Sequence, residues 1–169
     1  MLDTTRLFDT SNNQWKQGPS LKERRKSHSC FYDKLENTIY VIGGQKENKE
    51  NMEIEKYGNH EYYLRTTEKW NMGRYEWEPS SEFPLPMVDS AAVASKRVDF
   101  IGFVTGGFFN LPEIGYSDYD YKTWSYETQS NVWGLRRKDL TWILMPQTLP
   151  IRRYNHSILN VGADDIPGC

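Results

Sequence analysis

The sequence predicts an all-β chain built from small antiparallel sheets, and three observations carry that expectation. Short β-branched or aromatic segments lie between turn residues, two of them end in a Gly-Gly doublet, and one set of anchors recurs three times. The first copy holds Phe8-Asp9, Trp15, Leu21, Arg25, His28-Ser29 and Ile39-Tyr40-Val41-Ile42-Gly43-Gly44. The second holds Trp70-Asn71, Trp77, Phe83, Met87, Ser90-Ala91 and Phe103-Val104-Thr105-Gly106-Gly107. The third holds Trp142, Leu149-Pro150, Arg153 and His156-Ser157. Trp15 to Trp77 spans 62 residues, Leu21 to Phe83 again 62, and Phe83 to Leu149 66.

The elements follow in order. Thr4–Phe8 is expected as a strand, Asp9–Asn13 as a turn whose Asx side chains bond their own backbone, and the segment around Trp15 as the next strand. Lys26–Tyr32 alternates polar and apolar residues, Asp33–Asn37 is a polar turn, and Thr38–Ile42 returns as the second arm of a hairpin. Gly43-Gly44 then supplies positive φ and close backbone approach. Tyr62–Trp70 is expected as one long strand, Asn71–Arg74 as a turn, and Trp77 on a closing strand. Ser90–Ala94, Phe100–Thr105 and Gly106-Gly107 repeat the hairpin. The next strand falls on Tyr121–Tyr126 or on Asn131–Trp133, and Trp142 marks the strand after it. Glu47–Tyr57 is charged on nearly every side and predicts a solvated loop, not a helix.

Composition agrees. Of 169 residues, 37% are hydrophobic and 14% aromatic, a balance suited to half-buried strands. A net charge of −2 gives no electrostatic case for nucleic acid or an anionic membrane. No run reaches the ~20 apolar residues of a membrane span, and the first residues lack a signal-peptide core, so a cytoplasmic protein is expected. Cys30 and Cys169 make neither a disulfide framework nor a metal quartet, and Cys30 is expected as a small buried hydrophobe. Asn155-His156-Ser157 matches a glycosylation triplet that would matter only after secretion.

A lone four-stranded sheet of this size cannot bury both faces, whereas sheets stacked radially cover one another, as in a β-propeller. The anchors resemble the kelch repeat: an aromatic-Asp pair seven residues before a Trp, Arg and then His-Ser ahead of a strand, and Gly-Gly after the following strand. The resemblance implies a partial kelch propeller over 1–169: a partial blade 1–16, blades 22–79 and 85–145, and a truncated blade 151–169. The units exceed the roughly 45–50 residues of such blades through insertions at Gln45–His60 and Phe108–Asp120. Asn71 replaces the usual Asp, Met87 stands where Arg25 and Arg153 stand in the other copies, and the third copy lacks a Gly-Gly strand. An incomplete ring leaves open sheet edges, so a fragment of a longer protein is expected; a truncated product and a piece that associates with others are the alternatives.

In kelch proteins, partner-binding loops gather at one mouth of the ring. The resemblance places Arg25, Met87 and Arg153 in the loops that lead from one blade to the next, with Arg able to pair bidentately with carboxylates. The two arginines could equally satisfy loop carbonyls inside the repeat. The two insertions map to the same mouth and offer Phe108, Phe109, Asn110, Tyr116 and Tyr119 for contact, unless those rings pack back on the blade. Gly43, Gly44, Gly106, Gly107, Trp15, Trp77 and Trp142 are assigned to the repeat framework. His28 and His156 occupy equivalent positions and are expected to bond backbone within their strands; no histidine pair has metal-ligand spacing. Arg136–Asp139 is expected as a polar turn.

The expected function is a non-catalytic protein–protein interaction module, without cofactor or metal. Family analogy suggests a ubiquitin-ligase substrate or the actin cytoskeleton as partner. The alternative is a propeller enzyme of the copper radical oxidase kind, whose Tyr–Cys crosslink and histidine ligands this chain does not match.

Overall fold

The computed structural model describes residues 2–47, 61–111 and 125–160. Among them the regular structure is entirely β. In chain order the strands are β1 (Arg6–Asp9), β2 (Gln14–Gln17), β3 (Ser29–Asp33), β4 (Thr38–Ile42), β5 (Gln45–Glu47), β6 (Glu61–Tyr63) and β7 (Thr67–Asn71). They continue with β8 (Glu78–Pro79), β9 (Ala91–Ala94), β10 (Phe100–Thr105), β11 (Phe108–Leu111), β12 (Ser125–Thr128), β13 (Asn131–Arg136) and β14 (Trp142–Thr148).

Two four-stranded antiparallel sheets form the body, ordered β3-β4-β7-β8 and β9-β10-β13-β14, and β1-β2 forms a two-stranded sheet beside the first. In each four-stranded sheet consecutive body strands are neighbours, so every connection is a hairpin or begins as one. None of the sheets closes on itself. Two further hairpins, β5-β6 and β11-β12, extend from the Gly-Gly ends of β4 and β10. The expected strand Tyr62–Trp70 is therefore two strands, β6 belonging to a hairpin arm and β7 to the sheet body.

The register resolves the third copy. Phe8 faces Trp15 across β1-β2, and Leu135 faces Trp142 across β13-β14. Glu68 pairs with Pro79 and Lys69 with Glu78, which brings Trp70 opposite Trp77. All three partners stand seven residues before the tryptophan. The residue that plays Trp70's part is thus Leu135, in β13, and not Trp133; β12, at Ser125–Thr128, lies in a hairpin arm.

Burial follows the pleat. On β4, Tyr40 and Ile42 face the second sheet, where they pack with Phe31, Phe83, Met87, Ile101, Val104 and Leu135. Val41 points the other way and joins Trp70 and Trp77, with Leu7 and Leu21 of the first segment against them. One strand thus serves two interfaces, as period-two alternation requires when both flanks of a sheet are covered. Cys30 departs from expectation: its side chain is exposed. Its flank of β3 faces the β1-β2 side, where the two-stranded sheet covers Val41, Trp70 and Trp77 but not the edge strand β3; Tyr32 on the same flank is exposed too.

Candidate functional site

The candidate site lies at the end of the body where the Gly-Gly doublets meet the linkers between sheets. Gly43 and Gly44 have φ of 62° and 92°, and Gly106 and Gly107 have 60° and 86°. Two close approaches explain the doublet. A Cβ on Gly43 would lie 2.4 Å from the Met87 carbonyl oxygen, and one on Gly106 2.4 Å from that of Arg153. A Cβ on Gly44 would lie 2.6 Å from the carbonyl of Lys26. The doublet is therefore wedged between the linker entering its own sheet and the linker entering the next one. Its amides use that proximity: Gly44 donates to the Met87 carbonyl at 2.8 Å and Gly107 to that of Arg153 at 2.9 Å.

The same closeness brings the insertions to the linkers. Lys26 bridges to Gln45 at the foot of β5, and Val88 to Phe108 at the foot of β11. These bridges set the first residues of both insertions beside the linkers; residues 48–60 and 112–124 lie outside the described residues. Phe108 stands between the two arms and the last linker. Its ring meets Tyr63 edge-on at 6.0 Å and Tyr154 edge-on at 5.2 Å. Such T-shaped contacts align ring edges with ring faces. Phe109 and Asn110 belong to β11, their backbones paired with Glu127 and Tyr126. Tyr116 and Tyr119 lie outside the described residues.

The three linker positions diverge. Arg25 is buried, and its guanidinium donates to the carbonyls of Gly43 (2.8 Å) and Thr66 (3.1 Å) and to the Glu68 carboxylate (2.5 Å). Glu68 in turn accepts the backbone amides of Lys22 and Glu23. Glu23 is partly buried, which works against its charge, yet hydrogen bonds from Thr66 and Lys46 hold its carboxyl below the usual range. Arg25 therefore satisfies loop carbonyls from within and is not available to a partner. Met87 is buried as well, in the apolar cluster between the sheets. The register makes Trp133 the counterpart of Glu68, since Val41 pairs with Glu68 as Val104 pairs with Trp133. Thus Met87 and Trp133 do with apolar surface what Arg25 and Glu68 do with charge. Arg153 alone is exposed, its Nε donating to the Ile151 carbonyl at 3.3 Å.

The histidines correct a second expectation. His156 Nε2 lies 3.0 Å from the Thr105 hydroxyl, a side-chain contact to the neighbouring sheet, not a backbone bond within a strand. His28 packs its Cβ against Gly44, and among the described residues its ring forms no hydrogen bond. Burial, and then the charge of Arg153, hold His156 below the usual imidazole range. Sequence reasoning missed Tyr63 and Tyr154 as members of the aromatic line; Tyr154 follows Arg153 directly, and that adjacency was the available signal.

Among the described residues, no three His, Cys, Asp or Glu side chains converge to hold a metal ion, and no helix is long and apolar enough to cross a membrane. No family model matches the chain. It is similar to the solved structure of YjhT, with a TM-score of 0.61 and 11% sequence identity. The match covers 92% of this chain and 41% of that one, so the chain spans less than half the length of the structure it resembles. At that identity the likeness concerns fold alone. Together with the antiparallel sheets set flank to flank, it fits a β-propeller-like fold.

Proposed function

We propose that the chain is an arc of a kelch-type β-propeller and works as a non-catalytic protein–protein interaction module, a scaffold or adaptor piece that engages a partner through loops at one end. The observation that carries this reading is the line of rings Tyr63, Phe108 and Tyr154, which ties two hairpin arms to a linker at the Gly-Gly end. Aromatic side chains held by one another are pre-ordered for contact, and Tyr in such a place is typical of interface anchors. Beside them Arg152, Arg153 and Tyr154 are all exposed, a short basic and aromatic edge suited to an acidic peptide segment. Met87 and Arg25 are buried and form no part of this surface.

The test compares the wild type with Arg153→Ala and Tyr154→Ala as bait, against Leu35→Ala in the β3–β4 turn at the other end of the body. Proteins retained by wild type and the Leu35 variant but lost with both loop variants, at unchanged thermal stability, support the reading. Retention that is indifferent to all three variants removes it.

A further inference from the structure

We propose that copies of this chain associate head to tail, Trp15 of one copy seating in a cavity on the β10-β13-β14 flank of the next. The repeat geometry carries this inference, independently of the loop surface proposed above. Phe8 and Trp15 pack with ring centroids 5.1 Å apart at 52°, and Trp70 and Trp77 pack at 5.7 Å and 49°. The two pairs are the same construction on successive sheets. Trp70 and Trp77 are each 2% exposed, whereas Phe8 is 46% and Trp15 65% exposed. The first pair presents to solvent what its counterpart buries between sheets.

What such a tryptophan rests on is also on display twice. Trp77 donates its indole N–H to the Pro19 carbonyl at 3.1 Å and packs beside Leu21. Trp142 donates to the Ser81 carbonyl at 3.3 Å and meets Phe83 edge-on at 4.8 Å. In both seats the acceptor stands two residues before the apolar residue. The seats share a backbone bond: the amides of Leu21, Phe83 and Leu149 donate to the carbonyls of Asp3, Arg65 and Ser130 at 2.8, 2.7 and 2.7 Å. Leu149 is therefore the third apolar residue, and Gln147 carries the third acceptor carbonyl. Both line an open cavity of about 490 Å³, together with Val132, Met145 and Phe103. Phe103 stands in the register of Tyr40, which is wholly buried under the next sheet.

Among the described residues, each copy thus offers one indole without a seat and one seat without an indole, built to a shared pattern. Among the described residues the Trp15 N–H has no acceptor. A second copy is the occupant, because its Phe8–Trp15 pair is the counterpart of the Trp70–Trp77 pair that the chain itself buries against this seat pattern. The contact is heterologous, so it propagates from copy to copy or closes as a ring.

Sedimentation velocity on the full chain tests this. The wild type is expected to gain mass with concentration. Trp15→Glu, and separately Met145→Glu or Leu149→Glu, are expected to remain monomeric, with affinity lost by about 30-fold or more, the loss typical of an interfacial hot spot. Trp15 is exposed, so its variant should melt where the wild type does. An equimolar mixture of the Trp15 variant and a cavity variant retains one intact junction and should form a one-to-one dimer. A wild type that stays monomeric at its highest soluble concentration overturns the proposal. So does self-association that survives Trp15→Glu, or a mixture that forms no dimer.

Discussion

The Gly44 amide donates to the Met87 carbonyl at 2.8 Å, and through that bond the end of one sheet fastens the linker that enters the next. Gly107 and Arg153 repeat the arrangement one unit later. The bond exists only because two successive residues adopt positive φ beneath a passing backbone, and only glycine does so without steric cost.

Gly43→Ala should therefore be among the more damaging small substitutions in the chain. The new methyl meets a main-chain carbonyl, which cannot swing aside, and the left-handed conformation adds about 1–2 kcal/mol for any L residue. A total loss of about 2–4 kcal/mol in urea unfolding is expected. Gly73→Ala is the control: its nearest heavy atom is the Asn71 Oδ1 at 3.1 Å and its φ is not positive, so stability should change by less than about 1 kcal/mol.

Arg25 and Arg153 share a repeat position but should respond in opposite ways to truncation. Arg25→Ala leaves the Glu68 carboxylate, 4% exposed, without its cation and should cost about 3–5 kcal/mol. The second sheet fills the same place with Met87 and Trp133, so the double variant Arg25→Met, Glu68→Gln should recover most of that loss. Arg153→Ala should leave the unfolding free energy within about 0.5 kcal/mol of wild type, because its guanidinium is exposed. Chemical denaturation of the four proteins checks the set.

Acidification should weaken the fold through its histidines. Burial, and then the charge of Arg25, hold His28 below the ordinary imidazole range, while burial and then Arg153 do the same for His156. The unfolded chain therefore binds protons that the folded chain resists. Stability contributed by the neutral rings is present above pH 6.5 and lost as pH falls from there towards the lowered folded values. A His156→Gln variant keeps a partner for the Thr105 hydroxyl and should show a flatter dependence between pH 7 and 5.5. Thermal melts across that interval give the slopes.

Much of the body was legible because its signals are local. The Gly-Gly doublets, the alternation of β4 and the seven-residue step to each tryptophan lie within a few residues of one another, and the hairpins they imply formed as expected. The third copy leaves two candidate strands open because Trp133 stands nine residues before Trp142; Leu135 occupies the anchor position seven before it, and only the register distinguishes the two. The fates of Arg25 and Arg153 were not legible, since identical residues at equivalent positions differ in their partners: Arg25 meets the Glu68 carboxylate, whereas Arg153 donates to the Ile151 carbonyl. Cys30 sits inside an apolar strand pattern, but alternation puts it on the flank opposite Phe31, and what covers that flank is a property of the neighbouring sheet and not of its own strand.

The turn Arg136–Asp139 hides a long-range contact of that same kind. Arg136 pairs locally with Asp139, but Arg137 crosses to the β3–β4 turn of the other sheet, its Nη1 donating to Asp33 at 2.8 Å and to Glu36 at 2.8 Å. The two acceptors should not weigh equally. Asp33 is 4% exposed and Glu36 46%, so the first bond is shielded from water while the second is screened by it. Arg137→Ala should cost about 2–4 kcal/mol, mostly because it strands the Asp33 carboxylate, which then retains only the Leu35 amide at 3.2 Å. Glu36→Ala should cost less than about 1 kcal/mol, and that small effect should fade in high salt. Because the bond joins separate sheets, its loss should also raise hydrogen exchange along the β3 and β9 amides before it affects β7 or β13. Equal, small costs for Arg137→Ala and Glu36→Ala would show that the bridge is a surface pair and contributes little to holding the sheets together.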